Sequence, residues 1–436
     1  MSGPGKGINM LVVVAILAML GLLVLGISLM GYMDDNNKNA GTEKQTVKTI
    51  SAVKPKSAEI VFAEGIAALR QDAIASGISE ATVDLAFEGV EPDPSVIENL
   101  ENQPEHVRAV WDYIDRAASQ ARIAEGLSKL ETLSGVLSDI EKKYGVDRNV
   151  VVAIWGLESA YGTSMGSKNV IRSLATLAFL GGRRAAFGKS QLLAALRILD
   201  SGDIDGGNFT GSWAGAMGHT QFIPTTYLAH GQDFDGDGKR NIWSSVPDAL
   251  ASTANYLKVS GWRFDEVWGA EAVLPDGFDF GLTGYGEKRL VREWVAIGVK
   301  PVAGGEFAKE DSDASVILPA GARGPAFIVT DNFRAILKYN NATAYALGIA
   351  HLSDRLRGRG AIQARWPMDE VPLAFREREE LQKLLDDAGF SSGGVDGIIG
   401  SKTRQAVRAF QRSRKIPEDG YPSSKLLEIL RKFAKG

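Results

Sequence analysis

The sequence predicts a mainly α, α+β chain: a long helical domain with a small strand-containing insert, a small helical carboxyl-terminal unit, and one apolar helix at the amino end. Three observations predict it. Apolar residues return at helical spacing from about residue 58 to 262 and again over 332–356. Between about 264 and 330 that spacing gives way to multiplying glycines and short apolar runs such as Ala314-Ser315-Val316-Ile317-Leu318 and Ala326-Phe327-Ile328-Val329. Met10–Met30 is a run of 21 residues without a charge and with Ser28 as its one polar member. The 436 residues suffice for two or three domains, and 44% apolar residues suffice for a sizeable core.

Taken in order, residues 1–33 read as a membrane anchor. A 21-residue helix spans about 30 Å, the thickness of a bilayer's hydrocarbon. The apolar region of a cleaved signal peptide is usually only about 7–15 residues, and no small-x-small site follows Met30-Gly31-Tyr32-Met33. Lys6 before the run and Asp34-Asp35 after it favour an amino terminus in the cytoplasm. Residues 34–57 are polar and read as a flexible spacer. The long domain is expected over 58–362. Ile60, Phe62, Ile66 and Leu69 open it at helical spacing, Val107, Val110, Trp111 and Ile114 continue it, and Gly145 reads as a helix stop. The strand-containing insert occupies about 264–330. The two prolines of Arg365-Trp366-Pro367-Met368-Asp369-Glu370-Val371-Pro372 mark a linker, placed at 363–373. Residues 374–436 form the last unit, with 13 Lys and Arg against 9 Asp and Glu, so the remainder of the chain carries the acidic excess.

Net charge is −4 and the pI near 5.8, which gives no electrostatic footprint for nucleic acid. The absence of cysteine excludes disulfides, thiolate metal sites and a cysteine nucleophile. No motif calls for an organic cofactor, and none names a protein partner.

Chemistry concentrates at Glu158, within Val152-Ala153-Ile154-Trp155-Gly156-Leu157-Glu158-Ser159-Ala160-Tyr161-Gly162. Ile154 and Tyr161 share its face if the helix runs on. A carboxyl among apolar neighbours resists ionisation and can serve as a general acid, as glycoside cleavage requires. Most helical glutamates are instead solvated charges; the downstream motifs decide between the two. Ser212-Trp213-Ala214-Gly215-Ala216-Met217-Gly218-His219-Thr220-Gln221-Phe222-Ile223-Pro224 combines small residues, which let a ligand approach the backbone, with hydroxyl and amide groups and an indole face. Asp233-Phe234-Asp235-Gly236-Asp237-Gly238-Lys239 follows the front half of an EF-hand loop. Position twelve is Ser244 rather than glutamate, and Asp248 closes the site if the loop is longer; an Asx-turn loop without metal fits the same residues.

These segments, with Tyr339-Asn340-Asn341 and Tyr345-Ala346, resemble the lytic murein transglycosylase B family over about residues 59–360, with all the motifs in the family's order. The resemblance implies a lysozyme-like helical fold acting on peptidoglycan glycan strands, in the periplasm of a bacterium and tethered to the inner membrane through the amino-terminal helix. It implies Glu158 as the single catalytic acid/base and Ser212 and Gln221 as polar groups beside it. Tyr113, Tyr256, Tyr339, Asn340 and Tyr345 would line the cleft. Asp233, Asp235, Asp237, Asp248 and the Lys239 carbonyl would be ligands of a structural Ca²⁺. His219 departs from the residue expected at its position. The carboxyl-terminal signatures Gly394-Val395-Asp396-Gly397-Ile398-Ile399-Gly400 and Phe410-Gln411 resemble a three-helix peptidoglycan-binding module, with Leu384, Leu385, Val407, Phe410, Leu427 and Leu430 as its core. A hydrolase using water as nucleophile, and a non-catalytic wall-binding scaffold, remain the competing readings.

Overall fold

The computed structural model describes residues 57–101 and 108–435. The predicted anchor at Met10–Met30, its spacer and Val107 lie outside the described residues. Among the described residues, no helix is long and apolar enough to cross a membrane.

Helices dominate, in two packed groups. Ala58–Ala75, Glu80–Phe87, Pro94–Glu101, Val170–Leu180 and Ala185–Ser201 close one core around Phe62, Leu69, Leu174 and Leu196. Val110–Ala117, Gln120–Thr132, Ser134–Tyr144, Arg148–Ser159, Val246–Val259, Asp331–Tyr339 and Thr343–Leu356 close the other around Ile114, Leu137, Ile154 and Ile336. Gly145 ends the helix before Glu158's as expected, in a left-handed conformation (φ 69°) that glycine adopts without steric cost. Asp147 then caps the next helix by accepting from the Asn149 N–H at 2.7 Å. The expected run of helices to residue 262 is interrupted by a short ladder, β1 (Lys168–Asn169) against β2 (Thr210–Gly211).

The insert is an antiparallel sheet of β3 (Gly269–Val273), β4 (Arg289–Leu290), β5 (Lys300–Pro301), β6 (Asp313–Ile317) and β7 (Ala326–Thr330), ordered β4-β6-β7-β3-β5. Both of its faces are covered, which is why β7 reads as a continuous apolar run rather than an alternation. Phe327 and Val329 face the second helical core, while Ile328 and its neighbours Ala270 and Val316 pack around the fully buried Trp294 of helix Val291–Ala296.

The carboxyl-terminal unit has three helices, Phe375–Asp387, Ser401–Ser413 and Ser424–Phe433. Leu385, Val407, Phe410, Leu427 and Leu430 are buried in it as expected, with Leu384 partly so. The core of so small a unit is thin. Phe410→Ala is therefore expected to cost about 3–5 kcal/mol, read as a separate low-temperature transition in calorimetry.

The expected linker is laid down on the protein. Trp366 packs at a tilt against Trp111 (6.0 Å, 39°) and Phe327 (6.4 Å, 33°). The Gln363 and Ala364 N–H groups donate to the Glu271 carboxylate at 2.8 and 2.7 Å. The terminal unit itself docks on the insert: Arg408 donates to the Thr283 carbonyl at 2.8 Å, and the Ala322 N–H donates to Asp419 at 2.8 Å.

Candidate active site

Helix Arg148–Ser159 is buried from Val150 to its last residue, because apolar side chains occupy every side of it. Glu158 sits near its end and is 4% exposed. The helix stops abruptly: Ala160 (φ 48°), Tyr161 (φ 58°) and Gly162 (φ 87°) are all left-handed. Tyr161 therefore does not extend the Glu158 face, as helical spacing predicted; it folds back, and its hydroxyl donates to the Arg122 carbonyl at 2.8 Å. Such a run of left-handed residues costs on the order of 1–2 kcal/mol at each non-glycine. It persists where surrounding packing imposes it, commonly at functional sites.

The packing is visible. Ser159 donates through Oγ to the His219 carbonyl at 2.5 Å and accepts from the Gly162 N–H at 3.0 Å. The Trp155 indole N–H donates to His219 Nδ1 at 3.1 Å. His219 thus ties the helix end to the small-residue loop, and burial lowers its pKa so that it stays neutral. At Gly162 a Cβ would lie 2.3 Å from the His219 ring, so only glycine fits.

Burial pushes the Glu158 carboxyl up to about 8, against a smaller opposing effect from one hydrogen bond. That bond is donated by the Tyr345 hydroxyl to Oε1 at 2.6 Å. No second carboxylate contributes to its shift. Tyr345 stacks on Tyr339 with centroids 6.5 Å apart and planes at 10°. Tyr339 donates to the Thr220 carbonyl at 2.5 Å. Tyr256 packs edge-on to Tyr339 at 5.1 Å and donates to the Lys338 carbonyl at 2.5 Å. Tyr113 feels the Glu158 charge and is held protonated mainly by burial. Tyr113, Tyr339 and Tyr345 thus all feel the Glu158 charge, and Tyr256 reaches it only through its packing on Tyr339.

Neither Ser212 nor Gln221 hydrogen-bonds Glu158. Ser212 Oγ accepts from the Ala216 N–H at 2.9 Å and shapes the loop. Gln221 is left-handed (φ 54°), and its amide donates to the Met165 and Gly218 carbonyls at 3.0 and 2.8 Å. Its Oε1 is buried without a partner, as are Thr220 Oγ1 and Asn340 Oδ1. Unpaired buried polar atoms cost about 1–3 kcal/mol each; Asn340 follows Tyr339 in the chain, and Thr220, beside Gln221, takes the Tyr339 hydrogen bond, so the three suit a polar ligand that engages them.

Sequence reasoning missed the direct Tyr345–Glu158 bond and the Trp155–His219 brace. The first joins positions 187 apart, which no local pattern reveals. Tyr345→Phe removes the interaction that lowers the Glu158 pKa. The alkaline limb of the kcat/KM profile is expected to move up by about one pH unit, the size of one hydrogen bond to a charged group. A limb that stays in place, or moves down, contradicts that assignment.

The aspartate loop folds as a cluster. Oxygens of Asp233, Asp235, Asp237 and Asp248 lie within 4.8 Å of one another. Asp248 is fully buried and accepts from the Phe234, Asp235 and Asn241 N–H groups at 2.7, 3.3 and 2.8 Å. Lys239 lies in the same loop, its N–H donating to Asp237 at 2.8 Å. Four convergent hard-oxygen donors suit a divalent cation such as Ca²⁺.

Residues 61–354 match the family model described as a transglycosylase SLT domain, and residues 376–430 match one for a peptidoglycan binding domain. The chain is similar to the membrane-bound lytic murein transglycosylase B of Escherichia coli (strain K12), at 35% identity over 211 residues. That stretch is 48% of this chain and 56% of the relative, so the match spans about half the relative's length. SltB3 from Pseudomonas aeruginosa, solved in complex with NAG-anhNAM-pentapeptide, is 51% identical with a TM-score of 0.83. The match covers 85% of this chain and 99% of that one. The Escherichia coli lytic transglycosylase Slt35, solved in complex with calcium, is 26% identical with a TM-score of 0.58, over 67% of this chain and 92% of that one.

Proposed function

Because the chain belongs to the family of transglycosylase SLT domains, with a peptidoglycan binding domain behind it, we propose that it is a peptidoglycan lytic transglycosylase with Glu158 as its one acid/base. The observation that carries this reading is the buried Glu158 carboxyl, raised to about 8 with Tyr345 on Oε1 and no carboxylate partner.

Glu158 starts protonated and gives its proton to the glycosidic oxygen leaving N-acetylmuramic acid. The C1–O bond breaks, and the electron deficiency at C1 is relieved by the sugar's own N-acetyl group. Glu158, now a carboxylate, takes the proton from the C6 hydroxyl as that oxygen bonds to C1. A 1,6-anhydro end results, Glu158 is protonated again, and no water is consumed. Tyr345 supports this cycle: its hydrogen bond favours the carboxylate stage without cancelling the burial that favours the acid stage. Gln221 Oε1, Thr220 Oγ1 and Asn340 Oδ1 supply unpaired acceptors for the sugar's N–H and hydroxyl donors. A hydrolase normally needs a second carboxylate to activate water or attack the sugar, and none perturbs Glu158. The complex of SltB3 with an anhydro-muramyl fragment supports the same reading.

Asp233, Asp235, Asp237, Asp248 and the Lys239 carbonyl would hold Ca²⁺, whose two charges would offset half of the four carboxylates' charge and steady the loop that precedes helix Val246–Val259. Met10–Met30 would tether the chain to the inner membrane with the enzyme in the periplasm; its length and the chain's similarity to a membrane-bound Escherichia coli transglycosylase support this.

The test is the mass of products from sacculi digested with the fragment that begins at residue 58. Anhydro-muramyl ends are expected. Reducing ends carrying solvent oxygen from ¹⁸O-water would instead make the chain a muramidase.

A further inference from the structure

A cavity of about 520 Å³ opens between β3, β7, the loop after β5 and helix Thr343–Leu356. It is separate from the Glu158 site. Leu347, His351 and Asp354 line it, and they lie on the side of that helix roughly opposite Tyr345. Its volume is that of a small-molecule site.

The lining is not that of a leftover void. Glu271 points inward from β3, opposite Phe327 in register, where an apolar residue would pack. Each of its oxygens takes one backbone N–H, from Gln363 and Ala364, which leaves lone pairs to spare. Asp354 is held in the same way, by the Trp268 indole N–H at 3.2 Å and by Arg359 at 3.1 Å. Glu306 adds a third carboxylate and, among the described residues, is engaged by none. His351 makes no hydrogen bond among the described residues; burial, aided by the charge of Arg355, lowers its pKa to about 4 and keeps it neutral. The lining therefore carries three acids against one base, Arg359, which is already paired with Asp354. Trp268 and Phe327 supply aromatic walls. Among the described residues only the aspartate loop brings carboxylates together closely enough for a metal, so the acids of the cavity stand too far apart to share a bare ion.

We propose that this cavity is a second binding site, for an amino compound or short peptide that carries a primary ammonium group. Glu306, without a partner among the described residues, offers its carboxylate to the ammonium, the aromatic walls add cation–π attraction, and neutral His351 offers a further acceptor. The site needs nothing from Glu158, so it stands or falls independently of the catalytic reading.

Calorimetric titration of the full chain in detergent tests it, with three probes: lysyl-D-alanyl-D-alanine, its Nα,Nε-diacetylated form, and cadaverine. The unacetylated tripeptide is expected to bind at least about fivefold more tightly than the diacetylated one, as the loss of charge pairs implies. Glu306→Gln should weaken it. Gly360→Trp should abolish it: Gly360 borders the cavity, a Cβ there meets nothing within 4 Å, and its φ is not left-handed. Tripeptide affinity above that of cadaverine assigns the site to peptides, and equal affinity assigns it to free amines; both support the ammonium chemistry. Equal binding of the acetylated and free tripeptides, binding indifferent to Gly360→Trp, or no heat with any probe overturns the proposal.

Discussion

Glu158→Gln is expected to stop the release of glycan fragments from sacculi, with kcat/KM down by at least about 10²–10⁴-fold, the usual worth of one positioned proton transfer. The loss should lie at the upper end, because the same side chain serves two proton transfers in one turnover. Glutamine keeps the shape and can still accept from the Tyr345 hydroxyl, so the tyrosine stack has no reason to move. The variant also has a thermodynamic signature. Glu158 keeps its proton up to about pH 8 when folded, while an unfolded glutamate loses it near 4.5. Between those values the unfolded chain binds fewer protons than the folded one, so the parent's stability falls as pH rises through this window. Glutamine does not titrate. The variant should therefore match the parent near pH 4 and melt higher than the parent near pH 8. Parental rates of fragment release would remove Glu158 from the chemistry, and a variant no more stable at pH 8 than at pH 4, relative to the parent, would contradict its burial.

The second large effect is at the aspartate loop. Asp248→Ala leaves the Phe234, Asp235 and Asn241 N–H groups without their acceptor. These bonds are part-buried, so at the low end of about 1–3 kcal/mol for each unpaired donor a loss of roughly 3 kcal/mol is expected even without metal, at the upper end of the usual range for one substitution. A cation bound only by the folded chain adds a further contribution, about 2.7 kcal/mol at a hundredfold excess over Kd. Chelator should thus lower the Tm of the parent, and Ca²⁺ restore it. Asp237→Asn, at an exposed position, should melt like the chelated parent and ignore added Ca²⁺, whereas Asp248→Ala should melt lower than both. A parental Tm indifferent to Ca²⁺ and chelator would leave the loop as an Asx-turn device without metal.

Where the sequence was legible, the reason was local. Gly145 stops its helix because a left-handed residue is needed there, and glycine is the residue that advertises it. The buried strand Ala326–Thr330 announces itself by an unbroken apolar run, because the sheet is covered on both faces. The alternating aspartates of 233–237 carry their own turn chemistry. Where it was not, the interaction joins distant segments. The spacing from Glu158 to Tyr161 suggested a shared helical face, but the chain turns left-handed at Ala160, a residue with no propensity for it, because His219, on a loop some sixty positions away, locks the helix end through Trp155 and Ser159. Ser212 looked like a partner for the acid because it is polar and lies in the right motif; its oxygen instead closes the turn it belongs to. The two prolines of 367–372 mark a break in regular structure, which they are, and carry no information on whether that break hangs free.

It does not hang free, and this bears on how two grips on one polymer relate. With Trp366 packed against Trp111 and Phe327 and Glu271 fastening the irregular segment just ahead of it, the terminal bundle cannot swing like a weight on a string. A sugar chain seized by that bundle would meet the acid at a set stride, as cloth meets a blade mounted beside its guide. Cut lengths would then follow the span between guide and blade, and loosening Trp366 would blur them into a broad distribution without dulling the blade itself.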